Sequence, residues 1–286
     1  MSLTFSIIGT GKLGSNLCAA FQKSGYHIVS VWNRSGNRAV ALVNQLKLDA
    51  VCGNWPDYTE DLGDVIFLCV PDDQIEPAIH KLSGEMELSG KYIVHTSGAH
   101  PGDILNPAKQ AGAFVAAFHP LQSFTEEPHP GIFHGCWISI QGDEKAVSLL
   151  ESVAQKLGAK PKVVSAEEKR QLHVAAVFAG NYLVTLLEQA QQCVSNPELK
   201  SKIPSMFHAL MEQVLNNVKT QGVDRALTGP LSRGDDSTIV NHLEDLAHNP
   251  DLLQMYKVLG RATLPIVNRS ERITSDKLKT MQNLLE

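Results

Sequence analysis

The chain has 286 residues, with 25 Lys and Arg against 30 Asp and Glu and a formal charge of -5. That acidic balance opposes a general nucleic-acid or anionic-membrane partner, since both require a basic face. No apolar run reaches the ~18 residues of a membrane span, and the N-terminus enters an apolar strand without signal-peptide regions, so the expected location is the cytoplasm.

The first element is Phe5-Ser6-Ile7-Ile8, which breaks into Gly9-Thr10-Gly11-Lys12-Leu13-Gly14 and continues as a helix over 15–21. Strand, glycine turn and helix in that order make a dinucleotide pyrophosphate site. Gly9 permits the tight turn, Gly11 lets the backbone approach the phosphates, and Gly14 lets helix and strand pack closely, so that the helix N-terminus meets the anion. A second strand follows at His27-Ile28-Val29-Ser30-Val31-Trp32, which is the context the motif requires. Beyond it an NAD site usually places Asp or Glu, but this chain has Asn33-Arg34-Ser35. A carboxylate would repel a 2′-phosphate, whereas Arg34 offers a charged fork of donors with Ser35 and Arg38 beside it. The reading is NADP.

A helix over 39–46 and the unbroken apolar run Asp64-Val65-Ile66-Phe67-Leu68-Cys69-Val70, ended by Pro71, come next. Such a run suits a sheet covered on both faces. Further short runs at 92–95, 114–118 and 136–140, a helix over 143–157 and a last strand near 161–164 complete an alternation that predicts a doubly wound α/β domain over 1–164. Ser165-Ala166-Glu167-Glu168 then forms a capping box, opening a helix expected to run without interruption to about Cys193. Segments 203–220, 237–247, 250–258 and 275–285 read as further helices, so 165–286 is expected to be an all-helical domain for substrate and dimerisation.

In open α/β sheets ligands bind beyond the carboxyl ends of the strands. Val70 and Pro71, Thr96 and Ser97 after His95, and His119 with Gln122 stand at those ends. Thr96, Ser97 and the Gly98 backbone are candidates to flank the nicotinamide ribose, and His119 to orient substrate or move a proton near neutral pH. On the long helix Lys169 and His173 share one face with Gly180, and Asn181 lies about 80° around from His173. A helix-breaking segment at 227–237 offers Arg233 as a carboxylate clamp oriented by Asp235, or the same pair as pins for an interhelical turn, with Asp236 or Ser237 capping the helix that follows. The eleven histidines fall at separate strand ends without H-E-x-x-H, so no protein-bound metal is expected.

Gly9-Thr10-Gly11-Lys12-Leu13-Gly14, Asn33-Arg34-Ser35 and the 64–71 strand resemble the NADP-binding domain of pyrroline-5-carboxylate reductases and β-hydroxyacid dehydrogenases. With His95-Thr96-Ser97-Gly98, Phe118-His119-Pro120-Leu121-Gln122-Ser123-Phe124 and Leu227-Thr228-Gly229-Pro230-Leu231-Ser232-Arg233-Gly234-Asp235, nearly the whole chain resembles Rossmann-like proteins that carry a DUF2520 domain, some relatives of which are associated with ketopantoate reduction. The resemblance implies an NADP-dependent oxidoreductase whose helical C-terminal domain, similar to that of 6-phosphogluconate dehydrogenase, forms a homodimer. The implied substrate is a small carbonyl or imine that carries a carboxylate. The chain departs from the dehydrogenase pattern in one respect. There a helix Lys is followed four residues later by Asn, whereas here Lys169 is followed at that spacing by His173. Lys169 with His173, or His173 with Asn181, replaces the pair, and His119 is an added donor. A non-catalytic NADP-binding sensor is the alternative from another class, separated from an enzyme by turnover.

Overall fold

The apolar runs pair side by side into one eight-stranded sheet in the computed structural model, which describes residues 3–286. Its elements begin β1 (Thr4–Ile8), α1 (Lys12–Lys23), β2 (His27–Trp32), α2 (Asn37–Leu46), β3 (Val51–Gly53), β4 (Val65–Leu68) and α3 (Asp72–Glu85). They continue with β5 (Tyr92–His95), α4 (Asn106–Gln110), β6 (Phe114–Pro120), β7 (Trp137–Gly142), α5 (Glu144–Lys156) and β8 (Lys160–Val163). The strand order is β3-β2-β1-β4-β5-β6-β7-β8, so the first six strands follow the 3-2-1-4-5-6 order of dinucleotide-binding sheets. All neighbours are parallel except β6 and β7.

Burial on both faces explains why the central strands are apolar throughout. Val65, Ile66, Phe67 and Leu68 are all fully buried. On one side Phe21 meets Phe67 at 5.3 Å and Phe67 meets Phe118 at 5.6 Å, both edge-on, the geometry aromatic quadrupoles favour. On the other, Ile75, Ile79 and Leu82 of α3 pack with Ile8, Ile66 and Leu68. The register aligns Ile8 with Leu68 and Leu68 with His95, which brings the polar residues after each strand to one edge.

The expected capping box is present: Ser165 Oγ accepts from the Glu168 N–H at 3.1 Å, and Glu168 accepts from the Ser165 N–H at 2.7 Å. It opens α6 (Ala166–Ala176). The expected uninterrupted α-helix instead passes through a π-helical turn at Val177–Asn181, a local widening that recurs at functional sites. Two compact units divide after Gly180. The change of pattern at Ser165 marks a change of secondary structure, and Lys169 of α6 is bonded to the loop that follows β5.

The second unit begins at Asn181 and holds α7 (Tyr182–Gln192), α8 (Pro197–Met206), α9 (His208–Gln221), α10 (Val223–Ala226), α11 (Pro230–Arg233), α12 (Asp236–Leu246), α13 (Pro250–Ser270) and α14 (Ser275–Leu284). Ile239, Leu264, Met281 and Leu285 form its core. The expected helix over 203–220 is two, joined at Phe207. α12 is capped by Asp235, one residue earlier than expected. No helix of the described residues is long and apolar enough to cross a membrane.

Candidate active site

The glycine turn lies over the ends of β1 and β4. Gly9 has φ +107° and hydrogen-bonds back to the Trp32 carbonyl at 2.7 Å. A Cβ on Gly9 would overlap the Cys69 carbonyl, and one on Gly14 would overlap that of Gly9, whereas one on Gly11 would stand in open space. Gly9 and Gly14 are therefore fixed by packing, and Gly11 keeps the turn accessible. Gly11 is also the N-cap of α1 and brings no side chain to the first N–H groups, so those donors and the helix dipole suit an anion. Thr10 Oγ1 accepts from Asn33 Nδ2 at 2.7 Å, and Asn33 Oδ1 accepts from the Ser35 N–H and hydroxyl, each at 3.1 Å. Asn33 thus ties the glycine turn to the end of β2 and presents Arg34 and Arg38 as exposed cations.

Four polar residues gather at the ends of β5 and β6. Lys169, fully buried, donates from Nζ to the Ser97 carbonyl at 2.6 Å. His95, also fully buried, accepts from the Ser97 N–H at Nδ1 (3.2 Å) and pairs at Nε2 with the Pro101 carbonyl (3.2 Å), which fixes the proton on Nε2. His119 and His173 stand edge to face with ring centroids 5.8 Å apart. Both rings crowd Gly98: a Cβ there would lie 2.7 Å from His119 Nε2 and closer still to His173 Nδ1. The Nδ1 atoms of His119 and His173 are buried without a hydrogen-bond partner among the described residues.

Burial sets the charges. It holds the Lys169 ammonium down at about 8, against the attraction of Asp72. It also pushes His119 down to about 3, helped by Lys169 and His173. His119 is therefore neutral across the physiological range, which corrects the expectation that it moves a proton near neutrality; it is a hydrogen-bonding group. His95 likewise falls to about 3, through burial and the nearby Lys169. The unfolded chain binds a proton on His95 near pH 6.5 and the folded one only near 3, so the stabilisation present above 6.5 is lost as pH falls between those values. Acid denaturation should accordingly begin below pH 6.5 and be delayed in His95→Asn, as followed by circular dichroism; coincident acid transitions would contradict it.

His119, His173, Ser97 and Gly98 line a cleft of ≈ 390 Å³ that also holds Gly11, Lys12, Leu13, Val70, Pro71, Thr96 and Gln122, with Lys169 and His95 buried behind it. Thr96 and Ser97 are buried, and the Ser97 hydroxyl accepts from the N–H groups of Ala99 and His100. Of the residues singled out from the sequence, the first unit brings together the glycine turn, Val70, Pro71, Thr96, Ser97, His119, Gln122, Lys169 and His173. Asn181, Arg233 and Asp235 belong to the second unit. There Asp235 accepts from the Thr238 N–H and hydroxyl and from Ser237, so it is a helix cap, while Arg233 is exposed. His95 and Asp72 stand in the polar strand-end segments read from the sequence but received no role there, and Gly98, expected to offer its backbone to the ribose, is also the position against which both imidazoles pack. Among the described residues no group of three His, Cys, Asp or Glu is placed to hold a metal ion.

A Rossmann-like domain model matches residues 1–120, and the domain of unknown function DUF2520 matches 136–263. The chain is a Rossmann-like protein carrying a DUF2520 domain. A candidate NADP oxidoreductase of Bacteroides fragilis is similar in structure, with a TM-score of 0.74 and 23% identity over 91% of this chain and 97% of its own. A Thermotoga maritima protein gives 0.69 and 25% over 94% and 100%. A reductive aminase of Aspergillus terreus, solved with NADPH and ethyl-5-oxohexanoate, gives 0.56 and 17% over 100% and 93%. Likeness at these identities concerns the fold. No curated protein matches the chain in sequence.

Proposed function

We propose that the protein is an NADP-dependent oxidoreductase that moves hydride between the nicotinamide and a small carbonyl or imine substrate bearing a carboxylate. The observation that carries this reading is one cleft lined by both the uncapped glycine turn and the half-buried His119 and His173, with the buried Lys169 ammonium bonded to the carbonyl of Ser97 in its wall. Neighbours of this fold include a candidate NADP oxidoreductase and an NADPH-bound reductive aminase, in line with it. The α1 N-terminus and Gly11 would hold the pyrophosphate, with Thr10, Lys12 and Leu13 in the same turn, and Asn33, Arg34, Ser35 and Arg38 the adenosine end. Val70, Pro71, Thr96 and Ser97 would border the nicotinamide. The cofactor, when bound, supplies or accepts the hydride.

The protein's own part is to bind, orient and exchange a proton. Lys169, whose ammonium is held down at about 8 by burial, gives its proton to the substrate heteroatom as negative charge develops there. The partnerless nitrogens of His119 and His173 supply hydrogen bonds to the same region, because buried polar atoms of this kind call for a partner. Arg233 remains the proposed clamp for a substrate carboxylate, and Asn181 a positioning donor. The direct test is oxidation of NADPH with a panel of 2-oxoacids and cyclic imines. Binding of NADPH without turnover on any member would favour a sensor.

Two expectations accompany this reading. Because Arg34 and Arg38 are exposed beside Ser35, where an NAD site would carry an acid, NADPH should bind at least ~10-fold more tightly than NADH, about 1.4 kcal/mol. Arg34→Ala should erase most of that margin in calorimetry, and equal affinities in the unmutated protein would refute it. The second concerns assembly. α7 and α9 leave all their residues exposed or half-buried, and Leu210, Val214 and Val218 form an exposed stripe at helical spacing on α9. A second copy of the chain would cover it, giving a symmetric homodimer built largely from residues beyond 165. Light scattering should return twice the chain mass, and a monomer mass at all concentrations would contradict it.

A further inference from the structure

The proposed reaction leaves the buried imidazole of His95 without a task. His95 is fully buried at the end of β5, and both of its ring nitrogens are engaged by the loop that follows it. Nδ1 accepts from the Ser97 N–H, and Nε2–H donates to the Pro101 carbonyl. The imidazole therefore spans the loop from its second residue to its sixth. Between those two attachments lie the Ser97 carbonyl, which takes the Lys169 proton donor at 2.6 Å, and Gly98, against which both other imidazoles rest.

We infer that His95 is a positioning residue: as a neutral Nε2–H tautomer it holds the Ser97-Gly98 peptide where the carbonyl meets the Lys169 ammonium. The inference builds on the role given above to Lys169, but its test requires neither cofactor nor substrate. The physical argument is that Lys169 has a long flexible stem and is anchored in a buried position by that carbonyl. A lysine released from such an anchor turns its head toward water, here the adjoining cleft, where Asp72 of α3 attracts it. The other titratable groups near it are His119 of β6 and His95 itself, both neutral, and His173 on its own helix.

Two substitutions separate the two ring nitrogens. Asn in place of His95 keeps an acceptor for the N–H two residues on, the geometry of an Asx turn, and loses the bond to Pro101. Gln keeps a donor at the far position and loses the local acceptor. The readout is the titration of Lys169 by NMR in protein labelled with ¹³C at lysine Cε, with the signal assigned by its loss in Lys169→Met. The wild-type midpoint should fall at about 8. In His95→Gln it should rise by about one pH unit or more toward the ordinary 10.5, and in His95→Asn it should stay near the wild-type value. A general loss of packing would move melting temperature in both variants without separating them. Any other pattern of midpoints overturns the inference. Should His95→Gln fail to fold, ¹⁵N shifts of His95 in the wild-type protein decide: a neutral ring protonated at Nε2 throughout pH 5 to 8 supports it, and protonation at Nδ1 or titration in that range overturns it. Failure of NADPH to bind would remove the proposed reaction and leave this result standing.

Discussion

Gly98→Ala should lower turnover by ~10²-fold or more while leaving the fold and NADPH affinity nearly unchanged. The added methyl would lie 2.7 Å from His119 Nε2 and closer to His173 Nδ1, nearer than a Cβ carbon keeps to a non-bonded neighbour, so both rings must swing away. They can do so, because the atoms struck are the far ends of side chains beside a cleft. The backbone at Gly98 has no left-handed torsion to defend, and Gly11 and Arg34, assigned to the cofactor, are untouched. Displacing reactive groups by about 1 Å is enough for losses of ~10²-fold. The comparison to make is kcat against NADPH Kd for wild type and variant, once any substrate is found, with thermal melts alongside. Wild-type kcat in a folded Gly98→Ala protein would remove His119 and His173 from the reaction centre.

The second large effect belongs to Lys169. If it gives the proton, Lys169→Met should reduce kcat by ~10²- to 10⁴-fold, the usual range for a lost general acid, with NADPH affinity preserved. The pH profile supplies the signature. Reduction needs the protonated ammonium, so wild-type activity should fall as pH rises through about 8, and this limb should vanish in the residual activity of the variant. His173→Ala decides the alternative. A loss of ~10²-fold there with only a small loss in Lys169→Met would move the proton to the imidazole.

How far the site could be read from the sequence depends on the range of the interaction. The glycine turn was legible because its chemistry is local: Gly9, Gly11 and Gly14 each answer a constraint set within the strand–turn–helix unit. Val65 to Leu68 was legible because a strand buried on both faces has to be apolar. Val51–Gly53, three residues on the sheet's edge, is too short to show a pattern. α13 runs to Ser270, past Gly260 and Pro265; Gly260 reads as a breaker, yet in the fold it is the place where Leu285 packs against the helix. The reaction centre lies at the other extreme. His119 and Lys169 could be nominated from their positions, but the contact of Lys169 with Ser97 joins residues 72 apart in the chain. The depressed proton affinity of His119, which favours its orienting role over its proton-moving one, comes from burial, and burial at a strand end cannot be counted from spacing. Asp235 illustrates the converse, since an aspartate before a helix satisfies the capping rule as readily as it orients an arginine.

The segment between β6 and β7 is longer than antiparallel neighbours need, yet it is ordered by one residue of α1. Asn16, fully buried, donates to the carbonyls of Lys12 and Thr125 and accepts from the His129 N–H at 2.7 Å, while Lys12 at the glycine turn pairs with Glu126 at 3.3 Å. The first turn of α1 and this distant segment are therefore tied through the same buried amide. Asn16→Ala, which removes that tie, should speed nicking by a protease that cuts only at 125–129, and such nicking then reports on the glycine turn with neither spectroscopy nor a substrate.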